Sequence, residues 1–345
     1  MTISAVLQTS FLGDMILTTP LIARLACDGE VHVVATPANA GVLANHPAVS
    51  SVIVYDKRGA DAGVGGLRHV AACLRATGAT IAYMTQGSWR TAALARLAGM
   101  RSVGFDRSAG RWLYSRRVAY RKDWHHAQRL WALASHSRGA ESAMVEQLRP
   151  SLYPGAEDYA RTSALLDEAG VDAGEPLLAL APGSVWATKR WPSYDALAGE
   201  LVARLPDFRI VVLGAAGDAP LAVAISEAVR HRGGPPVIDA TGRLSLLGSA
   251  ALLSRCAALV TNDSAPLHLA SAMNTPTLAL FGPTVPAMGF GPLADRRATL
   301  GMDALTCRPC SAHGGQACPL GHWRCMRELS ARAVGAAVTR MAGPS

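Results

Sequence analysis

Short apolar runs alternate with helical patterns along the first half of the chain. The runs have the length and composition of buried parallel strands and lie at 3–7, 31–35, 51–54, 80–84 and 101–104. Apolar positions recur with helical spacing near 15–26, 64–77, 88–98 and 126–138. The basic, aromatic stretch 105–124 predicts no regular element. This alternation indicates βαβ units around a parallel sheet.

The alternation stops and then begins again. Residues 149–176 place prolines and glycines around one short helical pattern, 158–169, and predict a domain boundary. Further strands are predicted at 177–181, 209–214, 257–261 and 277–281. Further helices are predicted near 193–205, 219–232, 245–255 and 265–273. We therefore predict an α/β protein with two doubly wound domains, residues 1–160 and 161–345.

Composition agrees with a folded protein and narrows its class. Half of the 345 residues are hydrophobic and only 17% are charged, which argues against disorder. No apolar run reaches the ~18–20 residues of a membrane span. The first residues have no basic region and place Asp14 where a signal peptide would be apolar. We therefore expect a cytoplasmic protein.

The net charge of +8 favours an acidic partner, which could be a nucleic acid, an anionic membrane surface or a phosphorylated substrate. Lysines and arginines are scattered, and they do not interleave with aromatic residues as in a base-stacking groove. We therefore expect no nucleic-acid partner. Tight, steeply salt-dependent binding of DNA or RNA would contradict this expectation.

The stretch "TNDSAPLHLA", residues 261–270, joins a buried strand directly to a helix. Ser264 and Ala265 would offer backbone N–H groups and the positive end of the helix dipole to an anion. Asp263 is expected at the N-cap. The alternative is that Asp263 or Ser264 only caps the helix and that His268 is a core histidine.

The stretch "APGSVWATKRWP", residues 181–192, also follows a predicted strand. Gly183 and Ser184 can donate backbone and hydroxyl hydrogen bonds, and Lys189 and Arg190 add positive charge. The alternative is a solvated basic loop. Two anion-suited loops after strands of one domain favour a diphosphate site more than either loop does alone.

The stretch "TSFLGDMILTTP", residues 9–20, follows the first predicted strand. Gly13 would allow a tight turn, and Asp14 would open a helix at the carboxyl edge of the sheet. A carboxylate there can act as a general base. It can also be a helix N-terminal carboxylate that the dipole stabilises by ~0.3–1 kcal/mol. Position alone does not separate these two interpretations.

Four of the seven cysteines crowd one segment near the end of the chain: Cys307, Cys310, Cys318 and Cys325. Four thiols at this spacing in a cytoplasmic protein suggest a structural metal more than disulfides. Zinc is the default, and iron also takes four sulfur ligands. The alternative is that the thiols pack a loop without a metal.

Four stretches together carry a resemblance to a known family. They are "FLGDMILTTPLIARL", "APGSVWATKRWP", "VTNDSAPLHLASAMNTPTLALFGPT" and "CRPCSAHGGQACPLGHWRCMREL". In this order, and over nearly the whole chain, they resemble glycosyltransferase family 9, the ADP-heptose:lipopolysaccharide heptosyltransferases. The combination is specific, whereas a glycine followed by an aspartate alone is not.

The resemblance implies a GT-B fold, in which two Rossmann-like domains face each other across a cleft. The first domain would bind the acceptor and the second the ADP-sugar. The implied reaction is inverting transfer of heptose from ADP-heptose to an inner-core lipopolysaccharide hydroxyl. No cofactor is expected for catalysis.

The resemblance also implies roles for particular residues. Asp14 matches the catalytic base, and Lys189 is assigned to catalysis and to the donor phosphates. The other implied donor-binding residues are Gly183, Ser184, Asp218, Asp263, Ser264, Ala265 and His268. One departure is Ala265-Pro266, where relatives commonly have a glycine and a larger residue, and Pro266 has no amide hydrogen to offer.

The candidate acceptor-binding residues are suggested by their positive charge. Arg116 and Arg117 lie in the basic, aromatic stretch and would suit an anionic lipid-linked acceptor and the inner face of the cytoplasmic membrane. The alternative is a solvated basic loop. Rival functions are a protein O-heptosyltransferase, another sugar transfer of this family, and a non-catalytic bilobed nucleotide- or sugar-binding protein.

Overall fold

The computed structural model describes residues 1–135 and 143–343 and divides the chain into two compact units, Met1–Tyr153 and Pro154–Ser345. The predicted boundary after residue 160 falls inside helix Ala156–Glu168 of the second unit. This helix belongs to the second unit because Thr162 Oγ1 donates a hydrogen bond to Gly248 O, 3.1 Å away.

The first unit contains a six-stranded sheet in the order β3-β2-β1-β4-β5-β6, with every neighbouring pair parallel. Its strands are β1 (Ser4–Gln8), β2 (Val31–Ala35), β3 (Ser51–Val54), β4 (Ile81–Met84), β5 (Arg101–Phe105) and β6 (Arg116–Val118). Its helices are α1 (Leu12–Ala26), α2 (Pro37–Ala40), α3 (Gly63–Ala76), α4 (Trp89–Leu97), α5 (His126–Ala134) and α6 (Val145–Leu148). The last predicted residues of α5, 136–138, lie outside the described residues.

The second unit repeats this plan with the strand order β12-β11-β10-β7-β8-β9, again parallel throughout. Its strands are β7 (Leu177–Ala181), β8 (Arg209–Val212), β9 (Ile238–Asp239), β10 (Cys256–Asn262), β11 (Thr277–Phe281) and β12 (Arg297–Gly301). Its helices are α7 (Ala156–Glu168), α8 (Tyr194–Arg204), α9 (Ala219–His231), α10 (Leu246–Ser254), α11 (Ala265–Ala272), α12 (Arg324–Arg327) and α13 (Ala331–Ala342).

Each unit has its own core, which explains why the central strands are continuously apolar. All residues of β1 and of β7 are buried, because helices cover both faces of a doubly wound parallel sheet. Helix α13 closes the second core with Val334 and Val338, both fully buried. The predicted α/β class with parallel sheets is confirmed. Within the described residues, no helix is both long and apolar enough to cross a membrane.

The prediction that 105–124 has no regular element was wrong, because β6 lies within it. β6, β9 and β12 are all edge strands of their sheets and were missed. β6 and β9 have only three and two residues, and β12 has no fully buried position, so none of the three shows an apolar run in the sequence. We predicted that Gly13 forms a turn before the first helix, but it lies inside α1.

Candidate active site

In the second unit, two of the predicted loops meet because β7 and β10 are neighbours in the sheet. Lys189 Nζ donates to Asp263 Oδ2 at 2.6 Å, and Thr284 Oγ1 donates to the same oxygen at 2.7 Å. Lys189 and Asp263 are both buried, whereas the adjacent Arg190 is exposed. The interpretation as a solvated loop therefore fits Arg190 and not Lys189.

Asn262 holds the same two loops together. Its Oδ1 accepts from the backbone N–H of Trp191 at 3.2 Å, and its Nδ2 donates to Pro182 O at 2.8 Å. Asn262 is fully buried, so both contacts are protected from water. Sequence reasoning did not single out Asn262 or Thr284, because their partners are distant along the chain.

The start of helix α11 differs in one respect from expectation. The N-cap residue is Ser264, and the prediction that Asp263 occupies this position was wrong. The Asp263 carboxylate instead accepts hydrogen bonds from Lys189 and Thr284. Within the described residues no side chain caps α11, so the N–H groups of Ser264 and Ala265 at its start keep their capacity for an anion, whereas Leu267 N already donates to Ser264 O. His268 lies one turn further along α11 and is 5% exposed.

Asp218 and Gly183 lie against each other, although they are far apart in sequence. A Cβ atom added to Gly183 would lie 2.3 Å from Asp218 Oδ2, so a larger residue there would displace the Asp218 carboxylate. Ala215 N donates to that carboxylate oxygen at 2.9 Å. Ser184, next to Gly183, accepts on Oγ from Trp186 N at 3.3 Å. The second unit thus brings the predicted donor residues of three loops to the carboxyl edge of one sheet.

In the first unit, Asp14 lies in the first turn of α1. Ser10 Oγ lies 2.7 Å from Asp14 Oδ2 and 2.6 Å from Gln8 Oε1. Thr18 Oγ1 donates to the main-chain oxygen of Asp14 at 2.7 Å. The Asp14 side chain is 22% exposed, so the carboxylate is held in place and still reaches the surface of the unit.

His126 is the other close neighbour of Asp14, with Nε2 3.7 Å from Asp14 Oδ1. Burial, helped by the positive charge of Arg129, lowers the pKa of His126 to about 3. With this lowered pKa the imidazole is uncharged at neutral pH. An oriented, partly exposed carboxylate of this kind suits a general base.

A basic cluster that the sequence did not reveal contacts the loop that leads to Asp14. Lys57 Nζ donates to Thr9 O at 2.5 Å, and Arg90 donates to Lys57 O at 3.4 Å. Burial lowers the pKa of Lys57, and the charges of Arg58 and Arg90 lower it further. The three cations follow β3 or begin α4, so only the folded sheet places them together, near the loop that leads to Asp14.

Arg116 and Arg117 are both exposed on β6, but their surroundings differ. Arg116 donates to Leu133 O, near the end of α5, at 2.5 Å. Arg117 lies over the ring of Trp112, with 5.6 Å between the guanidinium carbon and the ring centroid. Trp112 is itself 74% exposed. Arg116 thus has a structural partner, whereas Arg117 belongs to an exposed aromatic and basic surface.

The four predicted metal ligands, Cys307, Cys310, Cys318 and Cys325, have free thiols. Among the described residues, no three His, Cys, Asp or Glu side chains are arranged to share a metal ion. The thiols are nevertheless neighbours. Burial raises the pKa of Cys325, and the charges of the other three raise it further. Backbone N–H groups, that of Trp323 above all, lower the pKa of Cys318.

The carboxylate held in place on one doubly wound unit suits proton transfer, and the lysine beside the start of α11 on the other suits an anionic group; together they indicate an enzyme. The chain belongs to glycosyltransferase family 9 (heptosyltransferase), whose family model matches residues 67–322. The predictions of the family and of a glycosyltransferase are confirmed.

Curated relatives carry heptosyltransferase names. Lipopolysaccharide heptosyltransferase 1 of Pseudomonas aeruginosa is 31% identical over 88% of this chain and 84% of its own length. Lipooligosaccharide heptosyltransferase 2 of Haemophilus influenzae is also 31% identical, but over only 44% of each chain.

Two solved structures support the fold. ADP-heptose lps heptosyltransferase II of E. coli has a TM-score of 0.78 and 23% identity, covering 99% of this chain and 98% of its own. The family 9 glycosyltransferase of Veillonella parvula has a TM-score of 0.84 and 23% identity, covering 99% and 97%. At this identity the likeness concerns the fold alone.

Proposed function

We propose that the protein is an inverting heptosyltransferase that moves heptose from ADP-heptose to a sugar hydroxyl of the lipopolysaccharide inner core. The observation that carries the proposal is the buried Lys189–Asp263 pair beside the uncapped start of α11, a charge arrangement suited to a diphosphate. The names of the family and of its curated relatives supply the sugar and the acceptor.

In the proposed reaction Asp14 takes the proton from the acceptor hydroxyl. That oxygen forms a bond to the anomeric carbon of heptose, while the bond from this carbon to the ADP oxygen breaks. Attack from the face opposite to ADP inverts the anomeric centre in one displacement. The proton ends on Asp14 and the negative charge on the leaving diphosphate.

The second unit would hold the donor. One N–H of the Lys189 ammonium donates a hydrogen bond to Asp263. Its other two N–H groups can donate to phosphate oxygens. The amides of Ser264 and Ala265, with Gly183 and Ser184, would complete the phosphate contacts. Asp218 would accept a hydrogen bond from the ribose or the sugar, and His268 would line the donor loop. These fixed charges stabilise the leaving group, so we propose that catalysis needs no cofactor.

The first unit would hold the acceptor. The basic cluster Lys57, Arg58 and Arg90 contacts the loop before α1 through Thr9 and would suit carboxylate or phosphate groups of an inner-core sugar. Arg117 and Trp112, with Arg116 beside them, would face the anionic inner surface of the cytoplasmic membrane, where the lipid end of the acceptor lies. We therefore propose cytoplasmic action with peripheral contact at that membrane.

We also propose that the four-cysteine segment holds a structural zinc or iron. Four thiolates are a ligand set that both metals accept. The thiols of Cys307, Cys310, Cys318 and Cys325 are close enough to influence one another's charge. They would have to move together to share one ion. Such a metal would order the segment and take no part in the transfer.

The decisive experiment measures ADP release from ADP-heptose with purified core acceptors that carry no heptose or one heptose. Turnover with either acceptor supports the proposal and identifies which heptose is added. ADP binding without turnover on either acceptor would indicate a binding protein instead. Turnover on a protein acceptor alone would indicate a protein O-heptosyltransferase.

A further inference from the structure

The segment between Cys310 and Cys318 lies directly on the loop that carries Lys189. We call residues 311–316 the strap. Thr188 Oγ1 donates to Gly315 O at 2.9 Å and accepts from Gly315 N at 2.8 Å, while Thr188 N donates to Gly315 O at 3.0 Å. Thr188 is the residue before Lys189 and is 4% exposed, so these contacts fix the Lys189 main chain.

The strap also covers the side chain of Lys189. Gly314 has a φ of +91°, and a Cβ atom added to it would lie 3.0 Å from Cβ of Trp186 and 3.2 Å from both Cγ and Cε of Lys189. The Gly314 main chain therefore packs against the methylene stem that leads to the ammonium. Gln316 adds a second anchor, since its Nε2 donates to Val185 O at 3.1 Å.

These contacts matter because a lysine side chain has many rotamers. A free lysine loses that freedom when it binds a phosphate, which weakens binding. A lysine whose stem is already packed, and whose ammonium is already 2.6 Å from Asp263, has lost it on folding.

We propose that the strap is a positioning element for Lys189, with Thr188, Gly314 and Gly315 as its positioning residues. The strap keeps the ammonium oriented for the donor diphosphate, and it makes donor affinity depend on the cysteine segment that bears it. This inference rests on the proposed role of Lys189 in holding the donor.

The first test compares two glycine variants by calorimetry with ADP. Gly314→Ala and Gly233→Ala both place a side chain at positive φ, but an added Cβ at Gly233 meets nothing within 4 Å. Gly314→Ala should raise the Kd for ADP and the donor KM by about threefold to thirtyfold, and leave the acceptor KM unchanged. Gly233→Ala should leave all three values unchanged. An unchanged Kd in Gly314→Ala would overturn the inference.

The second test removes the hydroxyl of Thr188. Thr188→Val should weaken ADP binding, whereas Thr188→Ser, which keeps the hydroxyl, should bind ADP as the wild-type protein does. Equal weakening in both variants would overturn the proposed role of the Thr188–Gly315 pair. Thermal unfolding of each variant establishes that the protein used in the measurement is folded.

The third test asks whether the strap acts through Lys189. In a Lys189→Ala background, Gly314→Ala should cause no further loss of ADP affinity, because the side chain that the strap positions is gone. Equal losses in both backgrounds would overturn the inference. If Lys189→Ala weakens ADP binding and Gly314→Ala does not, the inference about the strap is refuted, whereas the proposed role of Lys189 is retained. If the wild-type protein does not bind ADP, the proposed donor fails as well.

Discussion

At the scale of single residues, the proposed role of Asp14 as a general base depends on the neighbours that the folded chain gives it. Ser10 has one hydroxyl hydrogen for two acceptors, Gln8 Oε1 and Asp14 Oδ2. Once Asp14 has taken a proton, it can donate to Ser10 Oγ while Ser10 donates to Gln8. The hydrogen bonds therefore accommodate both the charged and the neutral carboxyl group, as a general base requires.

Asp14→Asn should keep the fold and the ADP affinity and lower kcat by ~10²–10⁴, because the amide cannot take the acceptor proton. Steady-state rates and ADP calorimetry measure both quantities. Asp28→Asn is a matched control, since Asp28 is an exposed carboxylate that pairs with Arg24 near the other end of α1. If Asp14→Asn retains more than half of the wild-type kcat, Asp14 is only a helix N-terminal carboxylate.

Lys189→Ala should raise the Kd for ADP by about tenfold to a hundredfold, because one charged hydrogen bond to a phosphate is worth ~1.5–3 kcal/mol. It should also destabilise the second unit, since Asp263 keeps a buried charge without its cation. Binding is therefore measured below the onset of thermal unfolding. Arg190→Ala removes the exposed neighbouring cation and should have little effect. Equal Kd values for the two variants would exclude the donor role of Lys189.

At the scale of elements, the sequence predicted the buried central strands and the polar loops after them, because apolar runs and their abrupt ends are local signals. It could not predict that Lys189 pairs with Asp263, since this depends on β7 lying beside β10. The basic cluster around Lys57 was hidden for the same reason: its cations come from the loop after β3 and from the start of α4. The N-cap assignment of Asp263 failed because a buried lysine competes for the carboxylate.

The cysteine segment yields a prediction of its own. Purified, untagged protein should carry about one zinc or iron per chain, as measured by elemental analysis. Cys318→Ser should abolish that metal, whereas Cys27→Ser, which alters an exposed thiol elsewhere, should not. Chelation should lower the unfolding temperature and also weaken ADP binding, because the strap between Cys310 and Cys318 contacts the Lys189 loop. Metal-free protein with four freely titratable thiols would refute the metal site.

At the scale of the whole molecule, the first unit should be sensitive to acid. Burial lowers the pKa of His46 to about 4 and the pKa of His126 to about 3. An unfolded histidine has a pKa near ~6.5. Below that pH the unfolded chain binds more protons than the folded one, so stability falls as the pH is lowered from 6.5 towards the folded pKa values.

His46→Gln should therefore reduce the loss of stability on acidification by up to about 1.4 kcal/mol per pH unit. Glutamine can still accept the hydrogen bond that Ala48 N donates to His46 Nδ1, which keeps the loop intact. Urea unfolding at several pH values between 7 and 4.5 gives the slope for both proteins. Parallel slopes would show that His46 does not contribute to acid sensitivity.

The net charge of +8 makes attraction to anionic surfaces a property of the molecule, and Arg117 is where we expect it to act. Arg117→Glu should raise the KM for a lipid-linked acceptor and leave ADP affinity unchanged. Arg116 is less suitable for this test, because it supports Leu133 O and its loss would also disturb α5. The effect should shrink at high salt, since the screening length falls to ~3 Å at 1 M. Arg101→Glu makes the same charge change at the start of the neighbouring strand β5 and should leave the KM unaltered. An equal rise in KM for both variants would mean that total charge matters and that the Arg117–Trp112 surface has no special role.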